Sequence, residues 1–192
     1  MTCLAGPGEP LELHLEEVAS CMAARGRWLA PKLARVLGVE EALARDLIVF
    51  VGYAHDVGKA DRKYKDADRY FPHHEAKSAV AVQKALDSAD WRIRRLAVYA
   101  VARHHYSFKE LQPLGKVTFQ PRCKITISWR PETELFNEAL NLLFRDAEDD
   151  IYDSAVSRDF LEALEGPARY AGMALLGLLS DCDYEVASRN RR

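Results

Sequence analysis

The sequence predicts a mostly α-helical, single-domain protein with a small β-hairpin inserted among the helices. Three observations carry this. Apolar residues recur at helical spacing along most of the chain. Only one stretch, residues 115–130, alternates apolar and polar residues as a half-buried strand pair does. The 192 residues contain no internal repeat, low-complexity tract or linker, and that length suits one domain with a sizeable core.

Each element follows in order. From Glu9 to Ala24, the residues Leu11, Leu15, Val18 and Met22 lie at helical spacing. A shorter helix near Lys32 to Leu37 should stop at Gly38. From Glu40 to His55 an apolar stripe of Leu43, Leu47, Phe50, Val51 and Ala54 predicts a third helix, with Gly58 and Lys59 beyond its end. Asp61 to Pro72 is polar and reads as a loop or short turn. Helices are expected from His74 to Leu86 and from Trp91 to Arg103. In the 115–130 stretch, Val117 and Phe119 form one alternating run and Ile125, Ile127 and Trp129 the other, with Pro121-Arg122 between them. Helical patterns resume at Glu132 to Phe144 and at Ser154 to Leu164, and a last long helix follows Pro167 to about Ser188.

Composition narrows the functional classes. Hydrophobic residues make up 48% and charged residues 29%, an ordinary globular balance. The formal net charge of -2 gives no global basic signature, so any nucleic-acid contact must come from local patches. No apolar run is long enough to span a bilayer, no signal peptide is expected, and no membrane partner is implied. Cys3, Cys21, Cys123 and Cys182 form no Cys-x-x-Cys pair. They read as reduced thiols of a cytoplasmic protein. Asn and Gln are scarce, a trend found in thermophilic sources.

Chemistry is concentrated in six histidines, His14, His55, His73, His74, His104 and His105, and in Asp56, Asp181 and Asp183. Imidazoles and carboxylates suit first-row divalent cations. One carboxylate can bridge two cations, and cations about 3.5–4 Å apart can activate a water while stabilising the leaving oxygen of a phosphoryl group. In bland terms each residue has another use. His14 could be an ordinary histidine on an amphipathic helix, His104-His105 a complement to a helix dipole, and Lys59 a solvated charge.

Together, the order His14, His55-Asp56, His74, His104-His105 and a late Asp resembles the HD superfamily of phosphohydrolases, over nearly the whole chain. Finer features resemble the CRISPR-associated HD nucleases of type I systems. These are His55-Asp56-Val57-Gly58-Lys59, the run Phe71-Pro72-His73-His74-Glu75-Ala76-Lys77-Ser78-Ala79 with its His-Glu-x-x-Ser-Ala element, the pair His104-His105, and the ending Asp183-Tyr184-Glu185-Val186-Ala187-Ser188. One extra residue separates Asp183 from Ala187-Ser188, so Asp181 stays open as the alternative. Asp183 is preferred because it shares a helix face with Leu176, Leu179 and Val186.

The resemblance implies an HD-type helical fold and a stand-alone nuclease subunit. It implies one metal held by His14, His55, Asp56 and Asp183, and a second held by His74, His104 and His105 with Asp56 bridging. Asp56 and Lys59 would be catalytic, Lys59 by offsetting charge on the phosphate. The cofactors would be one or two divalent metals: manganese, nickel, cobalt or iron, with magnesium as an alternative. The reaction would be hydrolysis of phosphodiester bonds in single-stranded DNA by metal-activated water, with endonuclease and exonuclease action both open. No P-loop is present, so the resemblance implies a separate helicase subunit and an RNA-guided surveillance complex as partners. Lys116, Arg122, Lys124 and Arg130 are candidates for a nucleic-acid groove. Phe119 and Trp129 could stack on bases, although packing of the hairpin is the preferred use for them. The basic ending of Arg189, Arg191 and Arg192 could touch nucleic acid or be solvated charge. Two rival functions are a phosphohydrolase acting on nucleotides or cyclic nucleotides, and a non-catalytic HD module that binds partners. The second would predict a broken ligand set, and the set here is complete.

Overall fold

The apolar stripes become the buried faces of a helical domain. A computed structural model describes residues 2–64, 70–105, 117–144, 152–154 and 164–190. Among these residues the helices are α1 (Leu11–Arg25), α2 (Ala30–Leu37), α3 (Glu41–Ala54), α4 (His74–Ala85), α5 (Trp91–Arg103), α6 (Glu134–Leu143) and α7 (Gly166–Asn190). One-turn 3-10 helices lie at Gly26–Trp28 and Val57–Ala60. Each expected helix within the described residues forms, and α2 stops at Gly38 as expected. The helix expected at 154–164 falls on residues that are mostly outside the described set.

The core joins Leu15, Val18 and Met22 of α1 to Leu47, Phe50 and Val51 of α3, Leu96 and Val101 of α5, and Leu175 and Leu179 of α7. Full burial of such a side chain contributes about 1.5–3 kcal/mol. α1 packs on α3 and α7, and α5 packs on α4 and α7. At the crossing of α1 and α3, a Cβ on Gly52 would lie 2.7 Å from Ala19 Cα. Glycine there lets the two backbones approach closely, which brings the His14 helix against the helix that ends at His55.

The β structure differs from expectation in two places. A short N-terminal ribbon pairs β1 (Leu4–Gly6) with β2 (Glu9–Pro10), where the sequence pattern began a helix at Glu9. Of the expected hairpin, β3 (Val117–Phe119) forms, but it pairs antiparallel with β4 (Tyr152–Ser154) instead of with Ile125–Trp129. The reason lies in what 125–129 contacts. Thr126 donates its N–H to Glu12, Ser128 hydrogen-bonds Glu16, and Trp129 stacks on Tyr53 with ring centroids 5.7 Å apart. Those groups are spent on α1 and α3, and the alternation marks a segment laid on helices.

The expectation of four reduced thiols is also corrected. Cys3 bonds Cys123, and Cys21 bonds Cys182. The members of each pair are 120 and 161 residues apart, so linear spacing gave no hint of them. Among the described residues no helix is long and apolar enough to cross a membrane.

Candidate metal centre

Helix ends aim the histidines. His55 and His104 follow the last residues of α3 and α5, where the final carbonyls of a helix lack partners. Each ring turns back on such a carbonyl: His55 Nδ1 donates to Gly52 O at 2.7 Å, and His104 Nδ1 to Val101 O at 2.7 Å. His74, at the start of α4, does the same to Phe71 O at 2.6 Å. His14, in mid-helix, donates Nδ1 to Glu9 Oε1 at 2.9 Å. With Nδ1 carrying the proton in all four, each Nε2 presents a lone pair to a common centre.

That centre is Asp56, fully buried and held just past α3. Its Oδ1 stands 3.0 Å from His74 Nε2 and 3.3 Å from His104 Nε2. Its Oδ2 stands 3.3 Å from His14 Nε2 and 3.5 Å from His55 Nε2. Asp183 of α7 closes the second side, with Oδ1 3.2 Å from His14 Nε2 and 3.6 Å from His55 Nε2. Two groups result, Asp56-His74-His104-His105 and His14-His55-Asp56-Asp183, each with its donor atoms within 4.8 Å of one another. Asp56 belongs to both.

These residues fit metal ions. Donors about 2.1 Å from one ion stand roughly 3.0–3.4 Å apart, close to the separations here. Asp56 Oδ1, His74 Nε2 and His104 Nε2 are buried with no hydrogen-bond partner, and Asp56 Oδ2 has only its ion pair with Lys59, an expensive state for polar atoms unless a ligand meets them. Without a cation, adjacent lone pairs must be reconciled by protons. Burial disfavours a charge on His14, yet hydrogen bonds to Asp183, Asp56 and Glu9 outweigh it and raise its pKa to about 11. Burial holds the His55 pKa down. Burial also works against an ionised Asp56, but Lys59 and the surrounding histidines hold its carboxyl well below the ordinary range. Burial, reinforced by His104, lowers the His105 pKa to about 3.

The glycine and serine of the two sequence motifs meet in space. Gly58 N–H donates to Ser78 Oγ at 2.8 Å, and a Cβ on Gly58 would lie 2.1 Å from His74 O. Only a glycine lets the turn after Asp56 press against the start of α4, which sets His74 beside Asp56. Lys59 is buried: its Nζ lies 2.5 Å from Asp56 Oδ2 and donates to Ala5 O at 3.0 Å.

A cleft of about 570 Å³ opens over the centre, lined by Lys59, His74, His104, His105, Asp183 and Tyr184 among others. His105 is the exposed member of the site. Asp181 is exposed and lines a different cleft with Arg25 and Arg189, so the geometry brings Asp183 and not Asp181 to the histidines. His73 lines the main cleft but belongs to neither donor group. The candidate nucleic-acid residues are not brought there. Lys124 and Arg130 line a separate groove with Trp129, and Arg122 bonds through its backbone to Ala60 O. Lys116 lies outside the described residues. Phe119 is fully buried, and Trp129 packs on Tyr53. Arg189 pairs with Glu17 at 3.2 Å, and residues 191–192 are outside the described set.

Sequence reasoning missed Glu9, which is buried and accepts from both His14 and Asn190. A carboxylate two residues before the His14 helix was the available signal, but it read as the helix's first residue.

Comparison with known families settles the lineage. The model of the Cas3 HD domain matches residues 5–191. The chain belongs to this Cas3 HD-domain family. No curated protein matches it. Membership implies a metal-dependent HD hydrolase of a CRISPR system, and the buried His/Asp groups of this Cas3 HD domain are placed for divalent metal.

Proposed function

We propose that this Cas3 HD domain is a nuclease that hydrolyses phosphodiester bonds of single-stranded DNA during CRISPR interference. The observation that carries the reading is Asp56, a buried carboxylate whose two oxygens face two separate groups of nitrogen and oxygen donors, with only the Lys59 ammonium against Oδ2. Such a carboxylate suits a pair of divalent cations, of which manganese, nickel, cobalt and iron match the donor set best and magnesium is an alternative. His14, His55, Asp56 and Asp183 would hold one, and His74, His104, His105 and Asp56 the other. When bound, such a pair supplies an activated water at neutral pH and offsets charge on the phosphoryl oxygens.

The chain's own residues do the rest. The Nδ1 hydrogen bonds of His14, His55, His74 and His104 fix ring orientation. Lys59 balances the charge of Asp56 and faces the cleft, where it can approach a phosphate. The cleft is open at the surface, which favours a strand over a wholly enclosed nucleotide. Lys124 and Arg130 would contact backbone away from the cut. A separate helicase and the RNA-guided surveillance complex would deliver the strand. Cytoplasmic residence follows from that role. The two disulfides, with the scarcity of Asn and Gln, then suit a hyperthermophilic cytoplasm, where intracellular disulfides are common.

The test is cleavage of end-labelled single-stranded DNA by metal-stripped protein, with each cation restored singly and Asp56→Ala as control. Cutting that needs the cation and vanishes in the variant is the expected result. Release of phosphate from nucleotides, with the polymer intact, would replace this reading by that of a nucleotide phosphohydrolase. Bound metal with no hydrolysis of either would leave a binding module.

A further inference from the structure

We infer that Tyr70 and Tyr184 form a base-stacking rim on the metal-centre cleft, so that the enzyme selects single strands by their unstacked bases. This deepens the nuclease reading and rests on it. Both tyrosines line the cleft that also holds His74, His104, His105 and Asp183. They come from different parts of the chain. Tyr70 precedes α4, and Tyr184 follows Asp183 directly on α7. They are 74% and 77% exposed, against 2% for Tyr53, which the core and Trp129 enclose. Two aromatic faces left in water on one cleft are the features that a flat apolar ligand would cover.

Charge in the cleft supports the same ligand. Among its described lining residues Lys59 is the one lysine or arginine, and its ammonium already sits on Asp56. The carboxylates of Asp183 and Glu75 line the cleft as well. Phosphate attraction in the metal-loaded enzyme then comes from the bound cations and Lys59 at the centre, and the rest of these walls adds little to it. With a net charge of -2, the chain as a whole adds no attraction for a polyanion. Stacking does not depend on charge and accepts any base, and in single-strand binders each aromatic contributes about tenfold in affinity. Bases within a duplex are covered by their neighbours and cannot be stacked this way. The rim thus ties cutting to single-strandedness without reading sequence.

The test compares two oligodeoxythymidylates in the manganese-loaded protein, one intact and one with abasic residues around the cut. The readout is the ratio of their kcat/KM values. The wild-type ratio should exceed tenfold in favour of the intact strand. Tyr184→Leu and Tyr70→Leu should each lower that ratio by roughly tenfold, mainly through KM, whereas Tyr184→Phe and Tyr70→Phe should keep it. Equal ratios in wild type and leucine variants would overturn the rim while leaving the nuclease reading intact. A wild-type protein that holds manganese but cuts neither strand would overturn both.

Discussion

Glu9→Gln isolates what a carboxylate behind a metal-facing histidine contributes. Glu9 is 2% exposed, and its Oε1 accepts from His14 Nδ1 at 2.9 Å and from Asn190 Nδ2 at 3.1 Å. Glutamine keeps the volume and can still offer its amide oxygen to His14, so ring orientation should survive and only the charge is lost. A hydrogen bond to a charged group contributes about 1.5–3 kcal/mol and a neutral one about 0.5–1.5 kcal/mol. The difference, about 1–1.5 kcal/mol, corresponds to roughly tenfold in affinity. That lies at the low end of the roughly 10–100-fold range for such supporting partners. Glu9→Ala also removes the acceptor and should approach the upper end. Calorimetric titration of metal-stripped protein with manganese, with melting of each metal-free variant as a folding control, measures both. The loss should fall on the step that fills His14, His55, Asp56 and Asp183, and leave the His74, His104 and His105 step near wild type. Unchanged affinity in Glu9→Gln, or equal loss at both steps, would refute the assignment of Glu9 to His14.

Three further outcomes are expected. Gly58→Ala places a Cβ 2.1 Å from His74 O and 2.8 Å from Ser78 N; it should destabilise the fold by about 3 kcal/mol or more and lower metal content, read by chemical denaturation and elemental analysis. Asp183→Ala should cost at least one bound cation per chain, whereas Asp181→Ala, on an exposed acid of another cleft, should match wild type in the same analysis. Reduction of Cys3–Cys123 and Cys21–Cys182, which close chain separations of 120 and 161 residues, should remove about 2–4 kcal/mol and lower Tm by roughly 10 °C for each bridge lost; four titratable thiols in untreated protein would contradict the pairing.

Helix order was legible because each helix buries one face, and burial writes a 3.6-residue period into Leu11, Leu15, Val18 and Met22 or into Leu43, Leu47, Phe50 and Val51. Strand pairing was not. A period of two says that one side of a segment is covered, without saying by what. Ile125, Ile127 and Trp129 carry that period because they lie on α1 and α3, while the partner of β3 comes from 152–154, a distant run of three residues too short to show any period. The disulfides were hidden for a related reason: pairing needs two Cα atoms about 6 Å apart in space, and distance in space is what spacing along a chain does not encode.

The site was legible for a different reason. A set of the kind proposed here to hold metal has few substitutes: imidazole or carboxylate must stand at each vertex, and loss of one leaves the others as unpaired buried polar groups. His14, His55, Asp56, His74, His104, His105 and Asp183 therefore stand out as types in an order, even though they sit on five different helices or helix ends. Their supports do not stand out. Three of the four Nδ1 partners are main-chain carbonyls, of Gly52, Phe71 and Val101, and every residue has one. The fourth, Glu9, is one of 29 acidic residues. It differs from the rest only in being buried beside His14, and burial of that carboxylate depends on the β1–β2 ribbon folding back over α1. The vertices are defined by residue type, whereas the supports are defined by position, so a sequence reveals the first and needs a fold for the second.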